Sequence, residues 1–135
     1  MDKMPGIGRT QQEREVFPAL TAIMPIDLVS LTTSAATIFT AETDADFQIR
    51  HLRAVNVTAM PATITAYIVD SGDSPSASNT IAFQVIVAAN SWLDVFTEDT
   101  IGFIPPSATL QALSGTANAI NLHGFGVEYR GHRET

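Results

Sequence analysis

The sequence predicts an all-β fold: an antiparallel two-sheet β-sandwich, with jelly-roll-like or Ig-like connections and an extended N-terminal arm. Three observations predict it. Apolar and polar residues alternate with the period of a pleated strand, most clearly at 62–70, where Ile64, Ala66 and Ile68 point one way and Thr63, Thr65 and Tyr67 the other. Turn-forming residues recur roughly every dozen positions, the spacing of short antiparallel strands. No helical period longer than about two turns separates the apolar runs, which argues against a βαβ fold. A chain of 135 residues holds one domain. The expected division is an arm at 1–25 and a sandwich at 26–135.

The arm is punctuated by Gly6 and Gly8, and Pro5, Pro18 and Pro25 block regular structure. Thr10 as N-cap with Glu13 three residues on would support one helical turn or two at 10–16. Phe17, Leu20, Ile23 and Met24 then bring apolar side chains without a period. The segment reads either as a disordered terminus or as an arm that orders by lying across a neighbouring subunit, and the apolar residues after Val16 favour the second for that half. From Ile26 the pattern becomes strands. In 27–32, Leu28 and Ser30 oppose Val29 and Leu31. In 36–41, Ile38 and Thr40 oppose Thr37 and Phe39. A polar turn at 42–46 leads to a longer strand at 47–57, where Phe47 and Ile49 begin one phase and Val55 and Val57 end it. His51, Leu52 and Arg53 interrupt the alternation, the mark of a bulge.

After the strand at 62–70, a Ser/Gly/Asp/Pro loop at 71–79 leads to a strand at 80–88, with Ile81, Phe83, Val85 and Val87 on one face. A tight turn at Ala89-Asn90 opens a strand at 91–96. A short strand at 101–104 stops at Pro105-Pro106. The last pair is 108–113 and 118–129, where Gly124 and Gly126 suggest a bulge that switches the phase between Leu122 and Phe125. The total is eight or nine strands, with no internal repeat.

Composition narrows the function. The formal charge is -7, and charged residues are only 16% of the chain, which suits a protein packed against neighbours. Between Ile26 and Tyr129 the only basic residues are Arg50 and Arg53, against ten carboxylates. Phosphate binding needs clustered Lys and Arg, so this balance argues against a nucleic-acid partner. There is no cysteine for a disulfide or thiolate site. The start has no secretory pattern, and no run approaches the roughly 18 apolar residues of a membrane span.

Candidate chemistry is sparse. Glu42, Asp44 and Asp46 offer oxygens to a Ca²⁺, but three acids fall short of about six ligands, and the EF-hand Gly and distal Glu are missing. Asp70, Gly72 and Asp73 read as a similar solvated loop, and Asp94, Glu98 and Asp99 as surface charge. His51, His123 and His132 lack zinc-ligand spacing; His123 is expected to hydrogen-bond across strands. No Gly-x-Ser-x-Gly elbow or phosphate loop occurs. The expectation is therefore no catalytic, metal or cofactor-binding residue, and no enzyme. A paired-carboxylate glycosidase stays open, because spatial separation is invisible in sequence. Trp92 is expected in the core, with a sugar-binding platform as the alternative. Arg50 and Arg53 would either meet a partner's carboxylates or pair with Glu42 or Asp46.

Several stretches resemble small virion structural proteins of tailed bacteriophages, of the head decoration or cement kind. They are LTTSAATIFTA at 31–41, TITAYIV at 63–69, NTI at 79–81, LQALSGTANAIN at 110–121 and GVE at 126–128. The resemblance spans roughly 29–129, and departs from the pattern where ETDAD at 42–46 replaces a Pro-Ala-Gly turn. It implies a capsid decoration protein, a homotrimer in the virion, assembled in the host cytoplasm. Its partners would be the major capsid protein or other virion subunits. The alternatives are a neck or tail component and a carbohydrate-binding host-attachment module. The candidate interaction residues are Phe17, Leu20, Ile23 and Met24 in the arm, with Arg50 and Arg53 on the body.

Overall fold

The computed structural model describes residues 20–130, Leu20 by its backbone alone. Nine strands lie in this span: β1 (Leu20–Ser30), β2 (Ala36–Thr40), β3 (Ala45–Asn56), β4 (Ala62–Val69), β5 (Thr80–Val87), β6 (Trp92–Phe96), β7 (Gly102–Ile104), β8 (Thr109–Ser114) and β9 (Ile120–Arg130). A single 3-10 turn, Ala77–Asn79, precedes β5. Among the described residues no helix is long and apolar enough to cross a membrane.

The strands form two antiparallel sheets. One has the order β1-β9-β3-β6, with β7 also pairing β3; the other has the order β2-β8-β4-β5. Consecutive strands change sheet at nearly every connection. The exceptions are the β4–β5 neighbours and the β6–β7 step. This interleaving is the jelly roll of two Greek keys, and it settles the connection left open by the sequence against the Ig-like form. The order also puts β1 and β2 on one side of the sandwich and β5 and β6 on the other.

The core lies between the sheets. Phe47, Ile49, Leu52, Ile104, Ile120 and Leu122 come from one inner face, and Ile64, Leu110 and Val87 from the other. Buried alanines at 54, 62, 66 and 112 stand among these larger side chains, so the two layers interdigitate. Phe39 of β2 meets Phe47 of β3 across the core, with ring centroids 4.1 Å apart. Asn56, fully inside, closes one end. Its Nδ2 donates to the carbonyls of Met60 at 2.7 Å and Val87 at 3.0 Å, and its Oδ1 accepts from the backbone N–H and the hydroxyl of Thr58.

Several expectations need correction. Strand β1 starts at Leu20 and pairs with β9 from Arg130 onward, so residues 20–25 belong to the sheet and not to the arm. The rest of the expected arm, 1–19, with the helical turn expected at 10–16, lies outside the described residues. The β3 bulge is confirmed, but its phases differ from the expected ones. Phe125 of β9 pairs with His51 and Gly126 with Ile49, leaving Arg50 as the extra residue. The inward residues are therefore Phe47 and Ile49 before the bulge and Leu52, Ala54 and Asn56 after it, while Val55 and Val57 do not point into the core.

Strand β9 does not switch phase. Ile120, Leu122, Gly126 and Glu128 stay inward, because the extra residues sit in its partners β3 and β1. Strand β5 fails to keep one face. Val85 to Ala82 spans three residues against two on β4, and Ala82 to Thr80 spans two against one. These bulges leave Ala82 packed on the core and Phe83 68% exposed.

Candidate functional site

A cluster of polar side chains lies on the outer face of the β1-β9-β3-β6 sheet. Its geometry starts with the β3 bulge, which turns Arg50 and His51 outward side by side instead of to opposite faces. Arg53 follows on the same face, opposite Asp94 of β6. Arg53 Nε donates to Asp94 Oδ1 at 2.9 Å and Nη2 to Oδ2 at 3.5 Å. His51 Nε2 is also 2.9 Å from Asp94 Oδ1. Arg53 and His51 thus converge on one half-buried carboxylate, 41 and 43 residues away in sequence. Asp94 was expected as simple surface charge; it is the hub of the cluster.

Aromatic rings frame it. The Arg53 guanidinium sits 3.9 Å from the centre of the Trp92 ring, a cation–π stack. His51 meets Phe125 edge-to-face at 6.1 Å between centroids. Arg50 binds Gln48, and its Nη2 donates to the Tyr129 hydroxyl at 3.0 Å. Together with the loop at 97–99, Arg50, His51, Arg53, Asp94 and Phe125 border a shallow groove of about 370 Å³.

Electrostatics follow the geometry. The Arg53 guanidinium holds the Asp94 carboxyl below the usual carboxylate range; burial opposes this and His51 adds to it. Asp94 in turn raises Arg53, chiefly through their hydrogen bond. A carboxylate stabilised in this way is a weak base. His51 and Asp94 have the spacing of two members of a nucleophile-activating triad. Among the described residues, however, no hydroxyl or thiol is hydrogen-bonded to His51, so the third member is missing. Thr97, at the groove's edge, engages Thr100. No group of three metal-ligating side chains occurs among the described residues. The arrangement ties β3 to β6 across the outer face through Arg53, His51 and Asp94.

The structure separates the expected contact residues. Arg50 and Arg53 share the outer face: Arg53 takes Asp94, and Arg50 takes Gln48 and Tyr129. Ile23 lies on β1, 76% exposed, while Met24 packs against the core. Phe17 and the Leu20 side chain lie outside the described residues, as does His132. His123 stands opposite Arg53 across the β9–β3 pair, without the expected side-chain hydrogen bond among the described residues. Trp92, expected in the core, is 54% exposed, with one ring face under Arg53. Asp44 pairs with Arg130 at 3.3 Å, and Arg130 also holds the inward Glu128 at 3.0 Å, which raises the Arg130 pKa.

Sequence reasoning missed a second surface, on β5. Ile81, Phe83, Val85 and Ile86 are 38%, 68%, 36% and 66% exposed. Ile81 and Val85 line a groove of about 230 Å³ with Leu93 and Val95 of β6, along the open side of the sandwich. The signal was present in the sequence: every residue at 81–87 except Gln84 is apolar, more than one buried face can use.

Comparison with known proteins adds to the fold. No protein-family model and no curated protein matches the sequence. Among solved structures, one of Bacillus endospore appendages, a family of disulfide-linked pili, is similar over 93% of this chain and 99% of its own, at a TM-score of 0.56 and 16% identity. A chain of the virus-like particle of extra small virus from the giant freshwater prawn Macrobrachium rosenbergii covers 98% of this chain and 94% of its own, at 0.45 and 10%. A chain of infectious bursal disease virus, Gx strain, covers 98% of this chain and 38% of its own, at 0.44 and 14%. At these identities the likeness concerns the fold.

Proposed function

We propose that this chain is a structural subunit of a virion, a decoration or cement protein that binds the assembled head lattice. The observation that carries the reading is the division of its surface. The polar cluster around Asp94 is internally satisfied, while large apolar side chains stand outside on β5, β1 and β7: Phe83, Ile86, Ile23, Leu28 and Phe103. Such side chains suit burial against other subunits, and a rigid jelly roll presents them in fixed positions. A protein that binds only the assembled lattice stabilises it by mass action. The resemblance at 31–41, 63–69 and 110–121 supports placing it in a phage particle, as a trimer contacting the major capsid protein. The arm, Ile23 and Arg50 are the proposed contact elements.

The test mixes purified protein with empty capsids and counts bound copies per capsid subunit. Lattice-scale stoichiometry is expected. A handful of copies per particle points to a neck or tail component, and no binding overturns the virion reading. A second reading is a self-assembling filament subunit, favoured by the full-length overlap with the endospore appendage chain. That family is disulfide-linked, and this chain has no cysteine, so a filament of it would hold together without disulfides. The carbohydrate-binding alternative draws on exposed Trp92, but Arg53 occupies one face of that ring.

A further inference from the structure

From the apolar β5 face we infer that it is where a second copy of this chain seats. The inference rests on the structural-subunit reading and names a partner and a surface for it. Phe83, Ile86, Ile81 and Val85 together expose roughly 300–400 Å² of apolar side chain, the size of the largest apolar patch on a typical monomer, which is often functional.

Charge selects the occupant. Residues 74–93 contain no Asp, Glu, Lys, Arg or His, in a chain of formal charge -7. Two like-charged copies repel wherever their carboxylates approach within about 8 Å, the screening length at physiological salt. On β5 they meet uncharged surface, and the carboxylate in the adjoining groove, Asp94, is already paired with Arg53. The chain's own arm is a poorer fit, because residues 1–19 carry Asp2, Lys3, Arg9, Glu13, Arg14 and Glu15, and covering the patch with them costs desolvation.

The contact is made by side chains. An open edge strand invites a second strand to extend its hydrogen-bonded ladder. In β5 two bulges break that ladder, and Gln84, at φ 48°, turns its N–H back to Thr65 Oγ1 at 3.0 Å. What remains for a partner is the row of Phe83 and Ile86, beside the groove that Ile81 and Val85 form with β6. The second copy offers two apolar counterparts. One is the same patch, which makes a two-fold pair. The other is Ile23 and Leu28 on β1, 76% and 67% exposed on the far edge of the first sheet, which makes a ring such as a trimer.

Sedimentation of the full chain from about 1 to 200 µM, in physiological salt, tests this. Wild type is expected to self-associate in that range. Phe83→Ser combined with Ile86→Ser, and separately Ile86→Lys, should weaken association at least about 30-fold; both sites are exposed, and unchanged thermal melts confirm folding. Loss on the β5 substitutions alone gives the two-fold pair. Loss also on Ile23→Ser with Leu28→Ser gives the ring. A wild type that stays monomeric to 200 µM, or β5 variants that associate like wild type, overturn the inference. Capsid binding of the same proteins separates it from the function above. Self-association through β5 without capsid binding sinks the virion reading alone. Capsid binding by a wild type that never self-associates sinks this inference alone.

Discussion

The carbonyl oxygen of His51 lies where a Cβ on residue 124 would be, so Gly124 of β9 and the bulge of β3 require each other. The bulge swings that carbonyl toward β9, and only a residue without a side chain leaves room for it. The same bulge turns Arg50 and His51 to the outer face. A glycine in one strand thereby permits the Asp94 cluster on its neighbour.

Gly124→Ala should therefore be severely destabilising, by about 3 kcal/mol or more, because the obstacle is backbone and cannot rotate away. Gly72→Ala is the control. It has φ +89° but nothing within 4 Å of its Cβ, so it should cost only about 1 kcal/mol of backbone strain. Urea unfolding of both variants gives the comparison.

Asn56→Ala removes a hydrogen bond from three backbone partners at once, the carbonyls of Met60 and Val87 and the N–H of Thr58, of which Met60 keeps the Thr58 hydroxyl. A loss of about 2–4 kcal/mol is expected, read as a fall in Tm on the order of 10 °C. Asn56→Asp should not rescue it, because an ionised carboxylate accepts from Thr58 but cannot donate to the two carbonyls.

Asp94 makes stability depend on pH with a fixed sign. Its pKa in the folded protein is below the ordinary value, so its contribution is fully present above the ordinary carboxylate pKa of about 3.9 and disappears as pH falls through the lower folded value. Thermal melts of wild type and Asp94→Asn should differ by a constant amount above about pH 5 and converge in more acidic buffer. Convergence on going to alkaline pH instead would contradict the assignment.

Truncation should separate the arm from the fold. Removing residues 1–19 leaves β1 whole, and Tm is expected to stay within a few degrees of wild type while capsid attachment weakens. Removing residues 1–25 takes more than half of β1, including Met24, which packs on the core, and the chain paired with Phe125 to Arg130. That protein should unfold at least about 10 °C lower. Full capsid affinity in the shorter truncation would leave the arm without its proposed role.

The strands themselves were largely legible in the sequence. Expected runs at 62–70, 91–96 and 101–104 match β4, β6 and β7 to within a residue or so, because alternation and turn residues act locally. The bulge in β3 was legible too, since His51, Leu52 and Arg53 break the period. Its exact phase was not, nor were those of β5 and β9, because an extra residue shows itself only against the strand it pairs with. The candidate site was the least legible. Asp94 looked like one surface acid among three, and nothing near it in sequence points to Arg53 or His51.

By itself, the sequence determined an all-β chain of short strands, an acidic body with two isolated arginines, and the absence of any thiol chemistry. Those follow from residue type and from a two-residue period, both properties of neighbouring positions. Only the tertiary structure decided that the strands interleave as a jelly roll, that Asp94 gathers Arg53 and His51, and that Trp92 and Phe83 lie outside. Each of these depends on which strand pairs with which, and one residue of register sends a side chain to the opposite face.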